Sequence, residues 1–238
     1  MKNYKEMLDL SKIPAHIGII MDGNGRWAEK RSKSRGDGHR HGSEIIEPII
    51  GACVELGVKA VSLYAFSYEN WSRPKAEIFE LWKLFEYFFN TKLDILASKG
   101  IKVVHSGSTN RLPGKIKKLL SDTIKKTAGN KKITLNLCIN YGGRQEIVEG
   151  VNKWLADRKP DEKFTLKKME KRLYTASLPE TDMIIRTSGE FRISNFMLWQ
   201  TAYAELVFTD VLWPDFTPSD LYKAIYDYQQ RKRRFGNI

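Results

Sequence analysis

Ile19-Ile20-Met21-Asp22-Gly23-Asn24-Gly25-Arg26-Trp27 joins two patterns at one point. Upstream, Ala15 to Met21 is a short Ile-rich apolar run, the mark of a strand buried on both faces. Downstream, a carboxylate, two glycines around an Asn, and an Arg break that run, and Trp27 to Arg31 begins a helix. A strand ending in Asp and turning through Gly-x-Gly presents bare backbone N–H groups at a helix start, which suit a phosphate. It also offers a carboxylate that suits a divalent cation. Asp and Gly are common turn residues too, so an ordinary strand-to-helix turn fits the same letters.

The rest of the chain repeats the alternation. Arg35 to His41 reads as a polar, Gly-broken connection, followed by a helix over Ser43–Leu56 with Ile45, Ile46, Ile49, Ile50 and Cys53 at helical spacing. Pro48 is expected to kink that helix or confine its regular part to one side. Strands are expected at Lys59–Phe66, Ile101–Ser106, Lys132–Asn140, Asp182–Arg186 and Leu206–Thr209. Helices are expected at Glu77–Ser98, Leu112–Ala128, from Gly142-Gly143 to Asp157, within Pro160–Leu178, from Asn195, and at Pro218–Arg233. Such alternation specifies an α/β fold: one domain over 1–238, with a mostly parallel six-stranded sheet flanked by helices. No repeat or linker divides it.

Composition narrows the partners. Forty Lys and Arg against 28 Asp and Glu leave a net charge of +12. That balance favours nucleic acid, phosphorylated metabolites or an anionic membrane surface without choosing among them. The only cysteines, Cys53 and Cys138, lie far apart within apolar segments, as buried thiols of a reducing compartment do. Met1 to Pro14 lacks a secretory apolar core, and no apolar run is long enough to span a membrane. A cytoplasmic location is expected, with peripheral membrane contact left open.

In open parallel sheets, ligands bind beyond the carboxyl ends of the strands. Asp22–Arg26, Ser67–Arg73 and Arg186–Ser194 all fall there, bringing Arg26, Arg73, Arg186 and Arg192 to one rim, with Arg35 and His39 on the connection after the first helix. Several guanidiniums around a Gly-rich turn and a carboxylate suggest phosphate groups held bidentately. Beside them, nine of the twelve residues Ile78 to Phe89 are apolar or aromatic. These make a core helix or, because Phe79, Trp82, Phe85, Phe88 and Phe89 cover more than one stripe, one wall of a hydrocarbon cavity. A Walker-type loop, the third glycine of a dinucleotide fingerprint, a nucleophile elbow and a zincin helix are all missing. What remains is a magnesium and diphosphate site beside an apolar helix.

These residues resemble the cis-prenyltransferases, and among them the bacterial undecaprenyl diphosphate synthases. The resemblance runs from His16–Trp27 through Gly38-His39, Leu63–Trp71, Asn140–Arg144, Ile185–Glu190, Arg192–Phe196, Trp199–Glu205 and Phe208–Pro214, nearly the whole chain. It implies condensation of isopentenyl diphosphate onto an allylic diphosphate, with farnesyl diphosphate the expected primer. The expected product is a long cis-polyprenyl diphosphate, undecaprenyl diphosphate for a cell-wall lipid carrier, with a shorter or longer one as the alternative. It further implies a hydrophobic tunnel, Mg²⁺ as cofactor, and a homodimer.

The resemblance also assigns roles. Asp22 would bind Mg²⁺ with the allylic diphosphate, which Gly23, Asn24, Gly25, Arg26, Trp27, Arg35 and His39 would surround. Ser67, Tyr68, Glu69, Asn70, Trp71 and Arg73 would order the reacting centre, with Asn70 assisting proton removal. Arg186, Arg192, Ile193 and Ser194 would hold isopentenyl diphosphate, and Glu205 would complete the metal site. Because Glu205 opens a strand, it should stand at the wrong end of its own sheet and be supplied by the other subunit. The tail Arg234-Phe235-Gly236 would reach the site across the same interface. The rival class, a basic nucleic-acid-binding protein resting on +12 and Arg231-Lys232-Arg233-Arg234, predicts steeply salt-dependent binding to DNA or RNA. The resemblance implies no nucleic-acid partner.

Overall fold

The structure, a computed structural model, describes residues 2–231. Six strands form one sheet: β1 (His16–Ile20), β2 (Ala60–Ser67), β3 (Ile101–Ser106), β4 (Ile133–Tyr141), β5 (Met183–Arg186) and β6 (Glu205–Phe208). Their order is β3-β4-β2-β1-β5-β6, and every pairing is parallel rather than mostly so. Strands buried on both faces need helices on both sides, and crossover helices supply them. The helices are α1 (Asn24–Glu29), α2 (Arg35–Leu56), α3 (Lys75–Thr91), α4 (Leu93–Ser98), α5 (Gly114–Thr127), α6 (Gly143–Asp157), α7 (Leu166–Glu170) and α8 (Pro218–Gln229). The larger core joins Ile17, Ile19, Leu63, Leu135 and Leu137 of the sheet to Ile49, Ile50, Phe88, Ile116 and Leu221 of the helices. A smaller one gathers Ile20, Cys138, Tyr141 and Ile184 around Phe196 and Met197.

Four sequence expectations change. Arg35 to His41 is not a connection but the first two turns of α2. Ser34 and Asp37 form a capping box there, with Ser34 Oγ accepting from Asp37 N at 3.1 Å and Asp37 Oδ2 accepting from Ser34 N at 3.1 Å. Pro48 does not confine α2, which runs unbroken for 22 residues. Pro48 is exposed, so water can take up the carbonyl that loses its N–H partner. The helix expected over Glu77–Ser98 divides at Lys92, just after Thr91 turns its hydroxyl back onto the Tyr87 carbonyl at 2.7 Å. Finally, Asn195 begins no helix. Ser194, Asn195 and Met197 have φ of 46°, 64° and 48°, a left-handed path that an α-helix cannot follow.

The glycines of α2 explain how it lies so close to α1. A Cβ on Gly38 would stand 2.1 Å from the Asn24 carbonyl oxygen, and one on Gly42 would stand 2.2 Å from Asn24 Oδ1, whereas one on Gly51 would meet nothing within 4 Å. Gly→Ala inside a helix ordinarily stabilises by roughly 0.5–1 kcal/mol. We expect that sign for Gly51→Ala and the opposite for Gly38→Ala, which should lose about 2 kcal/mol through overpacking against backbone. Urea unfolding of the two variants checks this, and a stabilised Gly38→Ala would contradict the packing described.

Among the described residues, no helix is long and apolar enough to cross a membrane.

Candidate active site

The parallel sheet delivers the carboxyl ends of β1, β2 and β5 to one rim. β1 ends in register with β5, Ile20 opposite Arg186, so Asp22 and the Arg186 side chain meet there. Gly23 turns the chain with φ 107°, and a Cβ would press on Leu212 and Ser188, so only glycine fits. Thr187 locks the turn, its Oγ1 donating to the Asp22 carbonyl at 2.6 Å and accepting from Asp22 N at 2.9 Å.

Arg186 is the centre of the cluster. Only 4% of it is exposed, yet it carries a full charge. Its Nη2 donates to Asp22 Oδ2 at 2.7 Å, and its Nη1 donates to the Arg192 carbonyl at 2.5 Å and to Ser194 Oγ at 2.7 Å. Its Nε is buried without a partner, the condition of a guanidinium with one more acceptor to receive. Burial alone would push the Asp22 carboxyl up. The Arg186 hydrogen bond and charge, the Gly23 N–H at 2.7 Å and the nearby Arg26 outweigh that and hold it below the ordinary carboxylate range.

Around this pair each remaining guanidinium already faces a carboxylate. Glu190 lies between Arg26 at 3.4 Å and Arg192 at 2.5 Å. Glu77 lies between Arg73 at 2.8 Å and Arg35 at 3.6 Å. The His39 imidazole is pushed down to about 4 by burial, with the charges of Arg73 and Arg35 adding to this and Glu77 opposing it. At neutral pH it is uncharged, so it offers one donor and one acceptor rather than a third cation.

Next to the cations lies a cavity of about 160 Å³ between α2, α3 and the sheet. Asn24, His39, Asn70 and Arg73 form its polar side; Ile46, Leu81, Leu84, Phe85, Phe88 and Leu137 form much of its apolar wall. The hydrocarbon wall suggested by the aromatic run is therefore partly real. Phe85 and Phe88 line the cavity. Phe79 is 59% exposed, and Trp82 and Phe89 are packed into the core.

Other sequence candidates stand as follows. Asn70 accepts from Ser67 N at 3.0 Å, which fixes its amide at the cavity. Glu69 accepts from Asn195 at 2.7 Å, Tyr68 is exposed, and Ile193 packs against the smaller core. Gly25 lies beneath Arg35, whose Nε is 3.8 Å from where a Cβ would be. The Trp71 indole is engaged within the fold, donating to Asn140 Oδ1 at 2.8 Å beneath the Arg111 guanidinium. Trp27 is likewise buried, its Nε1 donating to Asp215 at 2.7 Å. Glu205 is not beside Asp22. It opens β6 opposite Met183, three residues and so about 10 Å along the strands from Arg186, and it pairs with Arg231 at 2.7 Å. Arg234-Phe235-Gly236 lies outside the described residues.

Sequence reading missed Glu77, Glu190 and Thr187. Glu77 carried a signal, standing four residues after Arg73 at helical salt-bridge spacing. Glu190 and Thr187 lay inside the Arg186–Ser194 segment expected at the same rim, but nothing in their spacing singled out their partners Arg26 and Asp22.

Metal binding can be tested on the donor set. Among the described residues no group of three or more His, Cys, Asp or Glu side chains is arranged to hold an ion. Asp22 offers a partly exposed carboxylate beside the Arg186 and Arg26 guanidiniums, which would receive phosphate oxygens. That set fits Mg²⁺, which binds through one or two carboxylates together with substrate phosphates.

Comparisons with known proteins point to one family. The family described as "Putative undecaprenyl diphosphate synthase" matches residues 20–236. The chain is 45% identical over 233 residues to an isoprenyl transferase of Leptospira interrogans, covering 96% of this chain and 97% of that one. It is 48% identical over 227 residues to an isoprenyl transferase of Fusobacterium nucleatum, covering 95% and 97%. Among solved structures it resembles lavandulyl diphosphate synthase from Lavandula x intermedia in complex with dimethylallyl diphosphate. That match has TM-score 0.92 and 33% identity, over 95% of this chain and all of that one. A "probable undecaprenyl diphosphate synthase" from Campylobacter jejuni gives TM-score 0.80 and 28% identity, over 94% and 99%.

Proposed function

The chain belongs to the undecaprenyl diphosphate synthase family of isoprenyl transferases, and from that premise we propose that it extends an allylic diphosphate with isopentenyl diphosphate, forming cis double bonds. Farnesyl diphosphate is the proposed primer and undecaprenyl diphosphate the proposed product. The observation that carries this reading is the Arg186–Asp22 pair: the guanidinium is buried with an unused N–H, and Asp22 is one residue along the chain from Met21 in the lining of an apolar cavity.

The reaction breaks the allylic C1–O bond, releases diphosphate, joins C1 to the terminal alkene carbon of isopentenyl diphosphate, and removes a proton to restore a double bond. Negative charge grows on the departing diphosphate, and positive charge grows on carbon. The α1 N–H groups with Arg26, Arg35 and His39 surround the first diphosphate. Arg186, Arg192 and Ser194 hold the second, so that carbon–carbon bond formation becomes effectively intramolecular. Mg²⁺, held by Asp22 and the allylic diphosphate, would neutralise charge on the leaving group. Asn70 stands at the polar end of the cavity, where the proton is lost.

A cavity of about 160 Å³ matches the 150 Å³ or so that holds a benzene ring, roughly one isoprene unit. Elongation therefore requires α2 and α3 to part. Phe88→Ala, which removes cavity wall, should shift the product distribution. Phe89→Ala, in the packed core, should cost about 3–5 kcal/mol and leave product length alone. Radiolabelled product chromatography beside urea unfolding distinguishes them, and unchanged products from Phe88→Ala would remove it from the hydrocarbon path.

A homodimer completes the proposal. β6 is the outermost strand of the sheet, with Phe191 78% exposed and Tyr203 72% exposed on the segments leading to it. Pairing at that edge would let Glu205 serve the partner's metal site. The decisive experiment incubates the protein with farnesyl diphosphate, labelled isopentenyl diphosphate and Mg²⁺, and reads product length and double-bond geometry. No elongation would overturn the proposal, and a short product would favour a reaction nearer that of the lavandulyl relative.

A further inference from the structure

The segment after Arg186 holds a residue that touches both halves of the proposed site without lining the cavity. Asn195 Nδ2 donates to Glu69 Oε1 at 2.7 Å, across to the turn that carries Asn70 and Arg73, and to Gln145 Oε1 at 3.1 Å. Its Oδ1 accepts from Arg144 N at 2.9 Å, and its carbonyl accepts from Gly143 N at 2.7 Å, so one residue caps two free N–H groups at the start of α6. Its neighbour Ser194 receives Arg186 Nη1 through Oγ and the Tyr64 hydroxyl through its carbonyl at 3.2 Å. The backbone makes room for this junction. A Cβ on Gly142 would stand 2.7 Å from Asn195 Nδ2, and Asn195 itself adopts φ 64°, which Asn tolerates better than most residues.

We infer that Asn195 is a positioning residue that joins the Ser67–Arg73 turn to the Arg186–Ser194 segment, so that the groups ordering the reacting centre and the groups holding isopentenyl diphosphate are placed relative to one another through a single side chain. The inference rests on the prenyl-transfer reading above. Asn195 needs no contact with either substrate to act this way. A ligand that orders the Glu69 turn also orders Ser194 and Arg186 through it, and linkage makes the effect reciprocal.

The test measures isopentenyl diphosphate binding by calorimetry, alone and with a non-hydrolysable farnesyl thiodiphosphate, in wild type, Asn195→Gly and Asn195→Asp. In wild type the farnesyl analogue should tighten isopentenyl diphosphate by about fivefold or more, the lower end of allosteric coupling. Asn195→Gly suits the left-handed backbone and so should melt within a few degrees of wild type, yet the tightening should fall below about twofold. Asn195→Asp keeps the acceptor for Arg144 N but turns a carboxylate toward Glu69, so the farnesyl analogue should tighten least there. Equal coupling in wild type and Asn195→Gly, or no coupling in wild type, would overturn the inference. A wild-type protein that neither binds these diphosphates nor elongates farnesyl diphosphate would instead overturn the functional reading beneath it.

Discussion

Asp22→Asn should reduce turnover by about three orders of magnitude while the protein stays folded. The substitution is nearly isosteric. Its amide oxygen can still accept from one of the two donors that hold Asp22, Gly23 N at 2.7 Å and Arg186 Nη2 at 2.7 Å. What it loses is charge. Without a carboxylate, the proposed Mg²⁺ loses its Asp22 ligand, and with it much of the neutralisation of the leaving diphosphate, a contribution of several kcal/mol. Stability supplies a second readout. The Asp22 carboxyl is held below its ordinary value of 3.8, so its pairing stabilises the fold above that pH and is lost as pH falls through the lowered value. Asp22→Asn should remove that acid-limb loss. Steady-state kinetics with saturating Mg²⁺ and acid unfolding curves check the two halves, and near-normal turnover would strip Asp22 of its assigned role.

Arg186→Gln should raise the KM for isopentenyl diphosphate by about tenfold to a hundredfold, from the loss of the charge-assisted hydrogen bond that the unpartnered Nε can give to a phosphate oxygen. It should also destabilise the fold by roughly 2–4 kcal/mol. The substitution leaves the Asp22 carboxylate, the Arg192 carbonyl and Ser194 Oγ without the group that satisfies all three. Arg186→Lys separates charge from geometry. A lysine keeps the positive charge but cannot reach three acceptors as a planar fork, so it should recover stability more fully than KM. Initial-rate measurements with each substrate varied in turn check this. A KM that rises only for the allylic partner would reassign the residue to the other diphosphate.

The alternation that specifies the sheet was legible because strands buried on both faces must be apolar throughout, and Ile17, Leu63, Leu135 and Ile185 obey that rule. The topology rule then predicted that Asp22 and Arg186 would share a rim. What escaped was local chemistry with tertiary causes. The first turns of α2 look like a loop because Gly36, Gly38 and Gly42 are poor helix formers, and the need for small residues at Gly38 and Gly42 arises only from the approach of Asn24 and Trp213. The Ser194–Met197 segment, left-handed at Ser194, Asn195 and Met197, reads from the sequence as the start of a helix. Its shape is set by Gly143, Arg144 and Arg186, which lie elsewhere in the chain. Glu190 was passed over because the arginines of the rim carried the sequence signal, and its place between Arg26 and Arg192 is set by the fold rather than by spacing.

The glutamates wedged between paired arginines have a bearing on how the cycle ends. A pocket of bare guanidiniums would clutch inorganic pyrophosphate as firmly as substrate and stall after one addition. In the proposed site Glu77 would reclaim Arg35, and Glu190 would reclaim Arg26, as soon as the by-product loosens. Departure becomes an exchange of anions rather than the exposure of naked cations, and a catalyst that must discharge one pyrophosphate per round is suited by such a rebound.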